Sequence, residues 1–103
     1  PAGKKGTYKV PETVKNIANR AFYNCDALTG IVFAEGFGNI GDEAFFGCTS
    51  LQGIVIPDLV TSIGDSAFAD CKSLQTIVVP DSVIYIGYGV FTGCISLQSY
   101  ITI

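Results

Sequence analysis

Apolar side chains separated by one residue recur along the chain at a constant interval of 23 residues. Alternation with period 2 places both members of such a pair on the same side of a β-strand. The pattern therefore predicts one strand every 23 residues, and strands that return in this way stack in parallel, about 4.8 Å apart. The pairs are Ile31/Phe33, Ile54/Ile56, Ile77/Val79 and Tyr100/Thr102, and the segment Tyr8/Val10 falls in the same phase.

Further positions between the strands keep the same interval. They form columns of isoleucine (Ile17, Ile40, Ile63, Ile86), small residues (Ala18, Gly41, Gly64, Gly87), phenylalanine (Phe22, Phe45, Phe68, Phe91), cysteine (Cys25, Cys48, Cys71, Cys94) and leucine (Leu28, Leu51, Leu74, Leu97). We expect the glycines to allow a sharp change of chain direction after the isoleucine. Asp42 and Asp65 are then suited to cap one short helical turn, which carries the phenylalanine inward.

Stacked copies of such a unit bury one continuous core that no single copy could bury. The sequence therefore predicts a single domain over residues 1–103. Its class is α/β and β-rich: a solenoid with a parallel β-sheet on one face and short helical, 3₁₀ or irregular connections. The four coils are predicted at 11–33, 34–56, 57–79 and 80–102.

Residues 48–71, CTSLQGIVIPDLVTSIGDSAFADC, carry every signature position of this repeat. Over residues 8–103 the chain resembles the BspA-type (Treponema pallidum-type) leucine-rich repeats, with departures at Ala18, Ala34, Phe37 and Val90 and in the last strand. The resemblance implies a right-handed leucine-rich-repeat solenoid, and strands near both ends without a polar capping module predict a fragment of a longer array. The resemblance also implies a non-catalytic adhesion or protein-interaction module of a bacterial or protist surface protein, located at the cell surface or secreted. Its partners would be host or bacterial surface proteins, or glycans.

The charge is distributed unevenly. Five of the six cations lie in the first twenty residues, whereas residues 21–103 contain eight carboxylates and one cation, Lys72. Because nucleic-acid binding needs a basic stripe along the body, we expect no nucleic-acid partner. No apolar run approaches the ~18 residues that a membrane-spanning helix requires, so we expect no span in this chain.

The four cysteines admit two interpretations. A short chain with Cys25, Cys48, Cys71 and Cys94 could form a disulfide framework, or the thiols could be small buried side chains of the core. Parallel stacking keeps the β-carbons farther apart than a disulfide prefers, and a line of thiols without histidine does not suit zinc. We therefore expect a structural core ladder, without a metal or a cofactor.

A second column is acidic: Glu12, Glu35, Asp58 and Asp81 each follow the position that opens a coil. Stacked carboxylates could bind Ca²⁺, but a linear array does not converge on one ion. An acidic residue after proline is also typical of an exposed turn. The second interpretation is favoured.

The face of each strand that points away from the core is the candidate binding surface. Its aliphatic stripe consists of Val32, Val55, Val78 and Ile101, and beside it lie Gln52, Gln75, Gln98 and Thr76. An uncharged face with an apolar stripe is typical of a partner surface. The alternative is that β-branched residues merely favour strands.

A smaller apolar group, Ile84, Tyr85 and Tyr88, lies on the connecting side of the last coil, where the other coils are polar or small. Either a neighbouring segment covers it or it helps to cap the end. Strand edges and core at uncapped ends invite association, so we expect possible self-association through the ends.

The chain contains no histidine, no nucleophile paired with a base and no glycine-rich phosphate loop, so we expect no enzyme activity. Two non-catalytic functions remain. One is a module that binds a protein or a glycan through the strand face. The other is a spacer or stalk that displays a different domain, or a self-associating array.

Overall fold

The computed structural model describes residues 6–33 and 38–102 of the chain, and the side chains of residues 6–33 and 38–98. This part of the chain contains eight strands: β1 (Gly6–Val10), β2 (Leu28–Phe33), β3 (Asn39–Ile40), β4 (Gly53–Val55), β5 (Ser62–Ile63), β6 (Thr76–Val79), β7 (Tyr85–Ile86) and β8 (Ser99–Thr102). All strand pairs are parallel. The strands predicted from the apolar pairs are β1, β2, β4, β6 and β8.

The register of these strands follows the 23-residue step. Tyr8 is opposite Ile31 in the pairing of β1 with β2, and Ile54 is opposite Ile77 in the pairing of β4 with β6. Strand β8 pairs with β6 in the same phase. The predicted parallel solenoid is therefore confirmed. Residues 34–37, which include the predicted coil-opening Ala34, lie outside the described residues.

A second parallel sheet, which the sequence analysis did not predict, is formed by β3, β5 and β7. Its strands contain the isoleucine column: Ile40 is opposite Ile63, Ile63 is opposite Ile86, and Ile17 forms an isolated bridge to Ile40. Each of these strands has only two residues. The coil is thus held by hydrogen bonds on two sides, and the core lies between them.

The core is built from the predicted columns. The rings of Phe22, Phe45 and Phe68 stack almost in parallel, with centroids 5.1 and 5.2 Å apart. Phe91 continues the stack at 6.1 Å from Phe68. Leucine, isoleucine and alanine columns fill the remaining space, and no buried polar or charged side chain occurs among the described residues. The described part of the chain is therefore stabilised chiefly by apolar burial along one axis.

The connections between the sheets are turns, and the described residues contain no helix. The reason is conformational, because two columns adopt the left-handed region in every coil. One column consists of Arg20, Glu43, Ser66 and Gly89, and the other of Asn24, Gly47, Asp70 and Gly93, with φ between 55° and 78°. A right-handed helix needs negative φ throughout, so these residues interrupt it. The sequence predicts helical, 3₁₀ or irregular connections. The irregular alternative is observed in the described residues, and the helical one is wrong.

The polar residues that were predicted to cap helical turns instead join neighbouring coils. The backbone N–H of Asp42 donates to Oδ1 of Asn19 over 2.8 Å, and the N–H of Asp65 donates to Oδ1 of Asp42 over 2.8 Å. Tyr88 continues the series by donating its N–H to Oδ1 of Asp65 over 2.9 Å. These side chains therefore stabilise the stacking of coils rather than the start of a helix.

The glycines after the isoleucine column are also needed for a different reason than expected. Their φ angles lie outside the left-handed region, so a change of chain direction does not require glycine there. A Cβ atom at Gly64 would instead lie 2.5 Å from the backbone nitrogen of Asp42 and 2.7 Å from the carbonyl carbon of Gly41. Glycine is required because two coils approach each other this closely.

Candidate functional site

The aliphatic stripe lies on the face of the strands that points away from the core. Val32 is 50% exposed and Val55 is 65% exposed, whereas Val78 is half-buried. Val55 is opposite Val78, and Val78 is opposite Ile101, whose side chain lies outside the described part. Among the three members whose side chains are described, the exposed apolar surface is therefore larger at Val32 and Val55 than at Val78.

The glutamine column runs beside this stripe, and its side chains are exposed. The backbone N–H of Gln75 donates to the carbonyl of Gln52 over 2.9 Å, and that of Gln98 donates to the carbonyl of Gln75 over 3.0 Å. Thr76 is also exposed. The backbone of this column thus holds the coils together, and the amide side chains are presented to solvent.

The strand face is divided between β2 and β4. Strand β2 pairs with β1, and β4 pairs with β6, but β2 and β4 do not belong to one sheet. The backbone N–H of Gln52 donates to the carbonyl of Thr29 over a long 3.3 Å, and beyond that point β2 and β4 form no ladder with each other. The coil that contains β2 differs from the later coils at Phe33, which occupies the column of Ile56 and Val79. The ring of Phe33 is nearly perpendicular to that of Phe45.

A groove of about 750 Å³ opens where β2 and β4 separate. Among the described residues, ten line it: Ile31, Val32, Phe33, Gly53, Ile54, Val55, Ile56, Pro57, Asp58 and Leu59. The structure therefore brings two members of the predicted stripe, Val32 and Val55, into one concave site. Val78, Thr76 and the glutamines do not line this groove.

Leu59 is a residue of this site that the sequence analysis missed. Its side chain is 61% exposed and lies at the rim of the groove, beside Pro57 and Asp58. The other coils have a polar or small residue in this column, namely Thr13, Gly36 and Ser82. The repeat is defined by residues that recur, and a single apolar residue in a polar column does not recur. The departure of Leu59 from its polar column is the feature of the sequence that indicates its role.

The second predicted patch lies elsewhere. Ile84, Tyr85 and Tyr88 are all exposed, and Tyr85 belongs to β7 of the second sheet. With Ile86 and Gly87, the two tyrosines line a separate depression of about 270 Å³. The structure does not bring this patch into contact with the groove.

The polar counterparts of this patch in the preceding coil form hydrogen bonds between coils. Thr61 Oγ1 donates to the carbonyl of Gly38 over 3.2 Å, and Ser62 Oγ donates to Asn39 Oδ1 over 2.7 Å. Ile84 and Tyr85 replace these two hydroxyl residues, so their side chains cannot form the equivalent bonds. The patch thus differs chemically from the rest of its surface.

The cysteine column lies in the core. Cys25, Cys48 and Cys71 are buried, and Cys94 is half-buried. Each of the last three thiols donates a hydrogen bond to the carbonyl of the phenylalanine in the preceding coil: Cys48 to Phe22, Cys71 to Phe45 and Cys94 to Phe68, over 3.0–3.1 Å. Cysteine is therefore suited to this column as a small apolar side chain with a weak donor.

Burial raises the pKa of the Cys48 thiol to about 12. The neighbouring sulfur of Cys94, together with burial, raises the pKa of Cys71 well above its ordinary value. Because the thiolate is the reactive form of cysteine, neither residue has the character of a nucleophile.

These environments predict the order in which the thiols react. At pH 8, an aromatic disulfide reagent should modify Cys94 within minutes, whereas Cys48 and Cys71 should react only as fast as the chain unfolds. The release of the coloured thiolate measures both phases, and Cys94→Ser should remove the fast one. A fast phase that survives in Cys94→Ser would contradict the assignment. Fewer than four reactive thiols in denaturant would instead support disulfides.

The acidic column is accessible along one edge of the strand face. Glu12, Asp58 and Asp81 are exposed, and Glu35 lies outside the described residues. No group of three or more residues that could ligate a metal occurs in the described part of the chain. Among these described carboxylates, Asp58 is the one that lines the groove.

Comparisons with known proteins agree with this architecture. Residues 6–103 match the model of the BspA type Leucine rich repeat region in six copies. A leucine-rich repeat protein from Bacteroides ovatus is similar at 37% identity and a TM-score of 0.86, over 95% of this chain and 25% of its own. No curated protein sequence matches the chain.

Two further solved structures are similar at 30% identity. One is a leucine rich cell surface protein from Faecalibacterium prausnitzii, with a TM-score of 0.83 over 93% of this chain and 31% of its own. The other is the leucine-rich repeat protein of T. pallidum, with a TM-score of 0.80 over 95% of this chain and 59% of its own. The chain therefore spans between a quarter and three-fifths of the length of these relatives. Within the described residues, no helix is long and apolar enough to cross a membrane.

Proposed function

The chain belongs to the family of BspA-type leucine-rich repeat proteins, and from that premise we propose that it is a non-catalytic module that binds other proteins through its strand face. The observation that carries the proposal is the groove between β2 and β4. It is concave, it is lined mainly by apolar side chains, and it exposes Val32, Val55 and Leu59 to solvent. Contiguous exposed apolar surface is typical of an interaction site.

The size of the groove supports binding of a side chain or a short segment. Its volume of about 750 Å³ lies within the usual range of ligand sites, roughly 300–1,000 Å³. Catalysis is not favoured, because the described residues of the groove provide one carboxylate, Asp58, and no second base or nucleophile to act with it. Proteins of this repeat family are generally non-enzymatic.

A location at the cell surface is part of the proposal. The similar protein from Faecalibacterium prausnitzii is described as a cell surface protein. Adhesion would be the corresponding role, with the strand face turned towards the partner. The alternative role as a spacer predicts a strand face that binds nothing.

Selection of peptides from a random displayed library on the immobilised chain tests the proposal. We expect enrichment on the wild type and its loss on the double variant Val55→Lys, Val78→Lys, because two desolvated ammonium groups cannot be tolerated in an apolar contact. Thr92→Lys is the matched control, since Thr92 is exposed in a connection between the sheets. It should retain enrichment.

Three outcomes would count against the proposal. Absence of enrichment on the wild type would favour the spacer. Equal enrichment on the wild type and the double variant would place binding elsewhere, with the patch of Ile84, Tyr85 and Tyr88 as the next surface to alter. A mass that grows with protein concentration and is sensitive to these substitutions would show self-association through the same face.

A further inference from the structure

The charged side chains on the Asp58 side of the groove are carboxylates. Asp58 is the single charged residue among the described residues that line it. The other described members of its column are also exposed: Asp81 lies on the next coil, and Glu12 lies two coils before Asp58. Lys72 is the one cation of residues 21–103, and it belongs to the turn after Cys71 rather than to the strand face. A cationic group would therefore be favoured along the Asp58 side of the groove.

One cation does lie on the strand face. Lys9 is exposed and is opposite Val32 in the pairing of β1 with β2. Because β1 is on the far side of β2 from β4, Lys9 lies beyond Val32 and does not line the groove. The two sides of the site thus differ in charge, with the carboxylate of Asp58 beside the groove and the ammonium of Lys9 outside it.

The backbone of the groove is also suited to a particular kind of ligand. Strands β2 and β4 each form a ladder with a neighbour on one side, but beyond Thr29 and Gln52 they do not pair with each other. Because α-carbons of the two strands are still within 8 Å of each other, a ligand lies over the strands rather than between them, and an extended polypeptide can follow the groove and direct alternate side chains into it.

We propose that the groove binds an extended polypeptide segment that carries an aliphatic side chain next to a lysine or arginine. The aliphatic side chain packs against Val32, Val55 and Leu59, and the cation pairs with the Asp58 carboxylate. This inference rests on the proposed function, since it names the partner of the same site. A glycan fits less well, because recognition of sugar hydroxyls needs several polar side chains and the described residues of the lining offer one.

Short fluorescein-labelled peptides test this specificity directly. The probe is an acetylated, amidated hexapeptide with the sequence KVIVKV, and the comparison peptides are EVIVEV and KSTSKS. Fluorescence anisotropy in 50 mM salt should show the first binding at least about fivefold more tightly than either of the others, as an accessible ion pair added to apolar burial allows. The preference for KVIVKV over EVIVEV should shrink at 500 mM salt, because exposed charges are screened.

Charge reversal identifies the responsible carboxylate. Asp58→Lys should weaken binding of KVIVKV about tenfold and should make EVIVEV the preferred peptide. The matched control is Asp81→Lys, which changes the net charge equally in the same column but does not line the groove. It should leave the order of the peptides unchanged. Circular dichroism of both variants verifies that the fold is retained.

The results separate failure of this inference from failure of the proposed function. If Val55→Lys abolishes binding but the basic peptide is not preferred, the inference is overturned and the proposal of strand-face binding stands. The same conclusion follows if Val55→Lys abolishes binding but Asp58→Lys has no effect. Peptide binding that Val55→Lys does not affect overturns both. Displacement of KVIVKV by neutral oligosaccharides at comparable concentration, with loss of the response to Asp58→Lys, identifies a glycan site and overturns the inference.

Discussion

Replacement of Phe45 by alanine should lower the free energy of unfolding by about 4 kcal/mol, since truncation of a buried phenylalanine typically costs ~3–5 kcal/mol. Phe45 is fully buried. Its ring stacks between those of Phe22 and Phe68, at 5.1 and 5.2 Å, and lies nearly perpendicular to the ring of Phe33, with centroids 6.1 Å apart. Loss of the ring removes three aromatic contacts and leaves a cavity at the middle of the stack. Urea denaturation followed by circular dichroism measures the change.

Phe46→Ala is the control for this result. Phe46 is the next residue along the chain and also stacks on an aromatic ring, that of Tyr23 at 5.2 Å, but it is only half-buried at a turn. Its removal should cost about 1–2 kcal/mol, since less apolar area returns to water. Equal losses for the two variants would mean that the central stack does not dominate the stability of the coil.

Replacement of Gly64 by alanine should cost about 3 kcal/mol or more, although it adds a single methyl group. The new Cβ would overlap the backbone nitrogen of Asp42 at 2.5 Å, the carbonyl carbon of Gly41 at 2.7 Å and Oδ1 of Asp42. Two of these atoms are backbone, so relief requires the coils to move apart. Overpacking in a tight core costs roughly 1–3 kcal/mol, and separation of the coils would also weaken the bond from the Asp65 N–H to Asp42.

Gly38→Ala separates this steric effect from the general effect of losing a glycine. A Cβ at Gly38 would have its nearest neighbour, Oδ1 of Asn16, at 3.9 Å, and its φ is not in the left-handed region. This variant should change the free energy of unfolding by less than about 1 kcal/mol, and in the stabilising direction, because alanine restricts the unfolded chain. A neutral Gly64→Ala would contradict the close stacking of coils.

The strands and the core could be predicted because the repeat averages the signal over several coils. One Ile-x-Ile pair is weak evidence of a strand, but the same pair at a constant interval fixes both the strand and its register. The buried positions of Phe45, Phe68 and Leu74 follow in the same way, since the same residue type recurs at each. The strands of the apolar pairs and the buried columns can therefore be predicted from the sequence.

The second sheet and the turns could not be read as easily. A two-residue strand such as Ser62–Ile63 is too short to show a periodicity, and its pairing depends on the position of the chain after the preceding turn. The left-handed residues were hidden because Arg20, Glu43 and Ser66 rarely adopt positive φ. The column of Asn24, Gly47, Asp70 and Gly93 did carry a signal, because asparagine, aspartate and glycine are the residues that favour this conformation.

The candidate site was predictable only in part. The exposure of Val32 and Val55 follows from strand alternation, which assigns them to the face opposite the core. The groove does not follow, because it depends on a break between two strands that the repeat treats as equivalent. Leu59 and Asp58 contribute to the site through that break. Irregularities among the coils thus define the site more than the shared positions do.

The central claim is that binding occurs on the strand face, at the separation of β2 from β4. The amide spectrum of the isotopically labelled chain, recorded during titration with a peptide selected on the wild type, tests this most directly. We predict shifts confined to the amides of residues 30–33 and of residues 53–59 other than Pro57, with little change at Tyr85–Ile86 and at the turn residues Arg20 and Glu43. Shifts centred on Tyr85–Ile86 or on those turns, with residues 30–33 and 53–59 unaffected, would contradict the account.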